Sequence, residues 1–133
     1  MKNLVSSGKR KRAIARANIV QGKGIVKINN IALENFQPKL ARLRMQEPLL
    51  LAEDAALKVD IHVNVKGGGI ASQADAARLA IAKALVGFSK NKSLKDTYLK
   101  YDRNLLVADV RRKEPAKPNR HGQARAKVQK SYR

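Results

Sequence analysis

The chain has no cysteine, so it offers neither disulfides nor thiolate metal ligands. Aromatic residues are few: Phe36, Phe88, Tyr98, Tyr101 and Tyr132. The interleaved aromatic pattern with which some sheets stack nucleic-acid bases is absent. No uncharged run approaches the ~18 residues of a membrane helix, and Met1 to Arg12 lacks the apolar core of a secretory signal. The expectation is a soluble, cytoplasmic chain with no membrane partner. His62 and His121 are far apart, so no metal site is expected. Asp60 and His62 share the polar side of one segment, but no nucleophile is flanked by a convincing base. No catalytic residue, cofactor or small-molecule substrate is expected.

Acid is scarce beside base. The chain holds 29 Lys+Arg against 10 Asp+Glu over 133 residues, a formal charge of +19. A compact monomer with that surplus repels itself, and a polyanion relieves the repulsion. The surplus sits at the ends. Residues 1–12 carry +5, residues 13–110 carry +6, and residues 111–133 carry +8. The expected organisation is a basic N-terminal arm (1–12), a globular domain (13–110) and a long extended basic tail (111–133). The tail has almost no apolar side chains, and Pro115 and Pro118 oppose regular structure.

The middle reads as α+β. Ala13 to Val20, the glycine-assisted turn Gly22-Lys23-Gly24 and Ile25 to Ile28 suggest a β-hairpin. Lys39 to Met45 suggests a short helix, and Pro48 suits the first turn of another over Leu49 to Ala55. Leu57 to Val65 alternates strictly, apolar at 57, 59, 61, 63 and 65, as a half-buried strand does. Gly67-Gly68-Gly69 ends it. The helix that follows, about Ser72 to Gly87, carries a capping pair in Ser72 and Asp75. Ser93 with Asp96 opens a shorter helix that sets Leu94, Tyr98 and Tyr101 on one side. Asn104 to Val110 has the composition of a last strand. The order β-β-α-β-α-α-β implies a mixed four-stranded sheet with helices on one face.

Two basic patches stand out as polyanion contacts. One is Lys9, Arg10, Lys11 and Arg12, with Arg16 beyond. The other is the tail: Arg111, Arg112, Lys113, Lys117, Arg120, Arg125, Lys127, Lys130 and Arg133. Tyr132, between Lys130 and Arg133, is placed to stack or hydrogen-bond on RNA. Gly67-Gly68-Gly69 before a helix is more simply a strand-to-helix breaker than a phosphate cradle, because no Gly-Lys-Ser/Thr follows.

Several separated segments resemble one family. Gly8-Lys9-Arg10-Lys11-Arg12-Ala13-Ile14-Ala15-Arg16-Ala17 is similar to the N-terminal signature of the ninth universal protein of the small ribosomal subunit. Gly67-Gly68-Gly69 with Gln73-Ala74 and Ala76-Ala77-Arg78 resembles its central signature, Leu106 to Glu114 its strand-to-tail junction, and Gln129-Lys130-Ser131-Tyr132-Arg133 its chain end. The phrasing from Arg111 to Asn119 resembles archaeal members. Val110, Gln123 and Val128 depart from the usual pattern of the tail. The resemblance implies an α+β fold with a left-handed β-α-β crossover, against the usual right-handed preference. It also implies a structural role in the head of the small subunit, among neighbouring head proteins. Lys9 to Arg12, Arg16, Arg111 to Lys113, Lys117, Arg120, Arg125 and Lys127 would bind small-subunit rRNA. Lys130, Ser131, Tyr132 and Arg133 would contact P-site transfer RNA during translation. Two rivals stand beside it: a nucleic-acid chaperone that binds DNA and RNA alike, and a small-molecule phosphotransferase with its glycine loop at Gly67 to Gly69.

Overall fold

The computed structural model describes residues 3–125. Five strands form one mixed sheet in the order β1-β2-β5-β3-β4. They are β1 (Asn3–Arg10), β2 (Ala13–Gln21), β3 (Val26–Ile28), β4 (Ile31–Ala32) and β5 (Val59–Lys66). The helices are α1 (Lys39–Ala52), the short α2 (Asp54–Leu57), α3 (Ile70–Ser89) and α4 (Lys92–Tyr101). The expected α+β class holds, with five strands where four were expected.

The fifth strand comes from the expected N-terminal arm. Asn3–Arg10 pairs antiparallel with β2 across the turn at Lys11 and Arg12. Its alternation is hidden in the sequence because, after Leu4, its inward positions are small or polar: Ser6, Gly8 and Arg10. That edge of β2 is therefore occupied by β1, and the other edge takes β5 antiparallel. The expected hairpin of β2 with β3 does not form, because β5 lies between them and pairs with β3 in parallel. The Asp60 carboxylate secures this arrangement. It accepts the backbone N–H groups of Lys23, Gly24 and Ile25 at 2.9, 3.1 and 3.0 Å. These bonds hold Asp60 below its ordinary pKa, with that of Ile25 the leading cause.

The Leu57 to Val65 alternation is real from Val59 on: Val59, Ile61, Val63 and Val65 are buried. Leu57 instead ends α2 and is exposed. The two short helices expected around Pro48 are a single helix, α1, with Pro48 inside it. A proline there forfeits one helical hydrogen bond. Pro48 is buried, and its carbonyl accepts the buried Tyr98 hydroxyl at 2.7 Å. The expected last strand over Asn104 to Val110 is absent. A 3₁₀ turn (Arg103–Leu105) stands there, with Asp102 Oδ1 accepting from Asn104 N at 2.9 Å and Leu105 fully buried.

Helix α3 is the spine of the core. Ala74, Ala76, Ala77, Leu79, Ala80, Ile81, Ala82, Ala84 and Leu85 are buried on all its sides, as befits a helix lying between layers. It packs against β1, β2 and β5 on one side and meets α1 and α4 elsewhere. The inner face of β2 is Ala13, Ala15, Ala17 and Ile19, all fully buried. Alanines on both surfaces let helix and sheet approach closely. At the closest crossing a Cβ on Gly8 would lie 2.3 Å from the Ala76 carbonyl oxygen. This explains the glycine without any appeal to a turn.

The helix caps differ from expectation. Helix α3 begins two residues before Ser72, with Gly69 as its N-cap and no side-chain cap. Asp75 instead pairs with Arg44 at 2.6 Å and Arg10 at 3.8 Å. Helix α4 is capped by Asn91, which accepts from Ser93 N at 3.0 Å. Leu94 and Tyr98 are buried as expected, whereas Tyr101 is exposed.

Candidate nucleic-acid interface

Three segments distant in sequence meet at one end of the sheet around a cleft of about 870 Å³. The β1–β2 turn contributes Arg10, Lys11 and Arg12. The loop between β5 and α3 contributes Gly68 and Gly69, with Ser72 in the first turn of the helix. The start of the tail contributes Arg111, Arg112, Lys113, Glu114, Pro115 and Ala116.

The glycine loop is shaped by contact with the turn above it. Gly67 (φ +78°) and Gly68 (φ +65°) take left-handed conformations. A Cβ on Gly67 would meet the Arg12 carbonyl oxygen at 2.7 Å, and one on Gly68 would meet the Ala13 nitrogen at 3.0 Å. Gln73 Nε2 donates to the Gly67 carbonyl at 3.0 Å and fixes the loop on the helix. The loop is the breaker expected from sequence. It also forms part of the cleft, and the uncapped N-terminus of α3 adds positive potential there.

The tail leaves the domain through an ion-pair cluster. Asp109 accepts from Arg10 and, at 2.8 Å, from Arg111 Nη2; it also accepts the Arg111 backbone N–H at 2.9 Å. Arg111 is the principal cause holding the Asp109 carboxyl far below the usual carboxylate range, and Arg10 reinforces it. Arg112 Nη1 donates to the Asp109 carbonyl at 2.8 Å. Beside them Arg78 bridges Glu47 at 2.6 Å and Asp102 at 3.1 Å. The cluster lines a second, polar recess of about 300 Å³ and ties β1, α1, α3 and the residues after α4 to the tail.

The described part of the tail is not simply extended. Lys117 N donates to the Gln123 carbonyl at 3.1 Å and Gln123 N to the Arg120 carbonyl at 3.0 Å, closing a loop. Arg125 Nε pairs with Glu114 at 2.9 Å, folding the segment back. Glu114 is the one acid of the tail, and this pairing lowers its pKa.

The expected binding residues therefore separate into groups. Lys11, Arg12, Arg112 and Lys113 converge on the cleft, where Arg111 joins them through Asp109. Arg10 is half-buried and committed to Asp75 and Asp109, and Arg125 is committed to Glu114. Lys9 and Arg16 lie on the open face of the sheet, away from α3. Lys117 and Arg120 are exposed in the tail loop. Lys127, Lys130, Ser131, Tyr132 and Arg133 lie outside the described residues. The sequence reading missed the acids that organise the site, Asp75 and Asp109: both partners of Asp75 and the Arg10 that joins Asp109 to β1 are remote in sequence. Asp60, which shares the polar strand side with His62, is structural, and His62 is exposed.

The cleft lined by Lys11, Arg12, Arg112 and Lys113 concentrates positive charge at one end of a small alanine-packed α+β domain. A profile of the family described as "Ribosomal protein S9/S16" matches residues 8–133. The small ribosomal subunit protein uS9 of Methanothrix thermoacetophila is 51% identical over 133 residues, covering all of both chains. That of Methanococcus maripaludis strain C7 is 48% identical over 134 residues, again covering both chains completely. The chain belongs to the ribosomal protein S9/S16 family. It is a structural small-subunit component rather than an enzyme, with its setting in the cytoplasm, and these relatives are archaeal.

Proposed function

We propose that the cleft holds the backbone of small-subunit rRNA in the subunit head, while the tail end reaches P-site transfer RNA. The observation that carries this reading is the convergence of the β1–β2 turn, the glycine loop and the tail start on one basic cleft. Lys11, Arg12, Arg112 and Lys113 supply cations there, and no ion pair engages Lys11, Arg12 or Lys113 among the described residues. The rRNA role of Lys9, Arg16, Lys117, Arg120 and Lys127 belongs to the same reading. Arg10, Arg111 and Arg125 act on RNA through the local structure they hold. The terminal residues Lys130, Ser131, Tyr132 and Arg133 are assigned to transfer RNA on the family resemblance. The same resemblance makes the β3-to-β5 connection, which runs through α1, the left-handed crossover. Neighbouring head proteins complete the set of partners.

The mechanism is electrostatic. Each phosphate neutralised releases condensed counterions, so log K falls with log salt by ~0.7–0.9 per contact. Four cleft cations predict a slope of about −3 to −4 from the cleft alone. Sedimentation of a native extract is the first test: the chain should run with the small subunit, and recovery mainly in the free fraction refutes the role. Removing Lys130 to Arg133 should weaken P-site transfer RNA binding and leave subunit assembly intact. Transfer RNA affinity unchanged at every salt concentration refutes the terminal role alone.

A further inference from the structure

Helix α3 packs on one face of the sheet, and most side chains of the other face are exposed. The register fixes which side chains share that open face. Ser7 lies opposite Arg16, and Arg16 opposite Asn64. Lys9 lies opposite Ile14, and Ile14 opposite Lys66. Asn18 lies opposite His62, and His62 beside Lys27 on β3. Lys9, Arg16, Lys27, Lys66 and His62 are exposed. The one carboxylate at this face is Asp60, opposite Val20, and it is occupied by the three N–H groups of the 23–25 turn.

We propose that this open face is a second RNA-binding surface, one that takes the sugar-phosphate backbone of a double-stranded segment. The proposal rests on reading the chain as an RNA-binding protein of the ribosome, and it adds Lys27 and Lys66, which lie outside both sequence patches. Three properties select the ligand. The face carries four permanent cations and a single, already satisfied acid, so it suits a polyanion. Apart from the single imidazole of His62 it has no aromatic side chain on which to stack a base, which disfavours a splayed single strand. Its Ser7 and Asn64 flank Arg16, and hydroxyl and amide groups interspersed with cations match the alternation of 2′-hydroxyl and phosphate along an A-form backbone. Strands lie ~4.8 Å apart, so Lys9 and Lys66, with β2 between them, stand about 10 Å from each other and can engage separate phosphates. Both lie at the end of the sheet that leads to the cleft, by way of Lys11 and Gly67 respectively. A single RNA helix can therefore contact both surfaces.

The test uses the full chain and a ~20-base-pair RNA duplex, long enough for a shape-reading domain. The Lys27→Gln/Lys66→Gln double variant should bind roughly tenfold more weakly near 0.1 M salt, with a log–log salt slope shallower by about 2. Lys92→Gln/Lys95→Gln, on the exposed side of α4, removes the same charge elsewhere and should change neither by as much. Equal effects in the two variants overturn the proposal, because net charge then explains them. A sheet variant that binds normally, beside a Lys11→Gln/Arg12→Gln variant that binds weakly, overturns the second surface and leaves the cleft standing. Normal binding by both variants overturns both surfaces. Thermal melts establish that each variant is folded. In native small subunits, Lys27 and Lys66 should resist acetylation until the RNA is digested with ribonuclease. Protection that survives digestion identifies a protein neighbour on this face and overturns the proposal.

Discussion

The Arg10 guanidinium and the Asp109 carboxylate form an ion pair across 99 positions of sequence, joining the end of the first strand to the root of the tail. Asp109 also holds Arg111 through both its side chain and its backbone N–H. One carboxylate thus orients the cation that opens the tail and decides the direction in which Arg112 and Lys113 leave the domain. Its cost in net charge is small in a chain of +19. Its gain is a tail that starts from a defined point, so less ordering entropy is lost when RNA binds.

Replacing Asp109 by asparagine should free this root. Limited trypsin digestion should cut after Arg111, Arg112 or Lys113 faster in Asp109→Asn than in the parent. The effect on stability has a pH signature. The native pKa of Asp109 is depressed, chiefly by Arg111, so its contribution is complete above the unfolded value of about 4 and is lost as pH falls through the native value. Urea melts should show a constant deficit for the variant between pH 7 and 5, narrowing below pH 4. A deficit that persists unchanged at low pH would show that something other than this charge is lost.

Tyr98 ties α4 to α1 by donating to the Pro48 carbonyl at 2.7 Å within the core. Tyr98→Phe keeps the ring but removes the hydroxyl's hydrogen bond to that carbonyl, which should cost about 1 kcal/mol and lower Tm by ~5 °C. Burial raises the phenol well above its ordinary value. The unfolded chain therefore ionises first, and the parent should lose stability as pH rises above about 10. The phenylalanine variant should lose less over the same range. Parallel alkaline limbs in the two proteins would count against the assignment.

Gly8 lies where β1 crosses α3, and the atoms a methyl group would meet are backbone: the Ala76 carbonyl oxygen at 2.3 Å and the Ala80 nitrogen at 2.8 Å. Neither can yield without moving the helix. Gly8→Ala should destabilise by about 2–3 kcal/mol, a fall in Tm near 10 °C. Gly87→Ala is the comparison, since its methyl would meet only the movable Leu4 side chain, at 2.7 Å. A thermal melt in which the two variants lose equally would mean that β1 readily gives way.

What could be read from sequence follows the physics of each element. The alternation of Val59 to Val65 and the long alanine-rich helix were legible because burial on one face or on every face leaves a periodic trace. Strand β1 was not, because its inner face carries glycine and arginine, which read as a charged arm. The partnership of β2 with β5 was also hidden. It joins segments about 45 residues apart in an antiparallel ladder, and no local pattern reports that. At the site, the cations were legible from composition alone. Their sorting into cleft, open face and internal ion pairs was not, because it depends on long-range pairs such as Arg44 with Asp75 and Arg10 with Asp109.

Lys11 is where backbone strain and the proposed RNA contact coincide. It sits in the β1–β2 turn with φ +53°, a left-handed conformation that glycine or asparagine adopts more readily. For a side chain with a Cβ the conformation costs ~1–2 kcal/mol. Glycine would remove that strain, although its greater freedom when unfolded offsets part of the gain. Lys11→Gly should therefore leave stability unchanged or raise it by up to about 1 kcal/mol in a urea melt. The same change removes a cation from the cleft, so RNA affinity should fall and the salt slope should become shallower by about 1. Opposite responses of stability and binding are what a strained binding residue produces. A loss of both together would mean that Lys11 is simply part of the fold, and unchanged RNA affinity would remove it from the cleft.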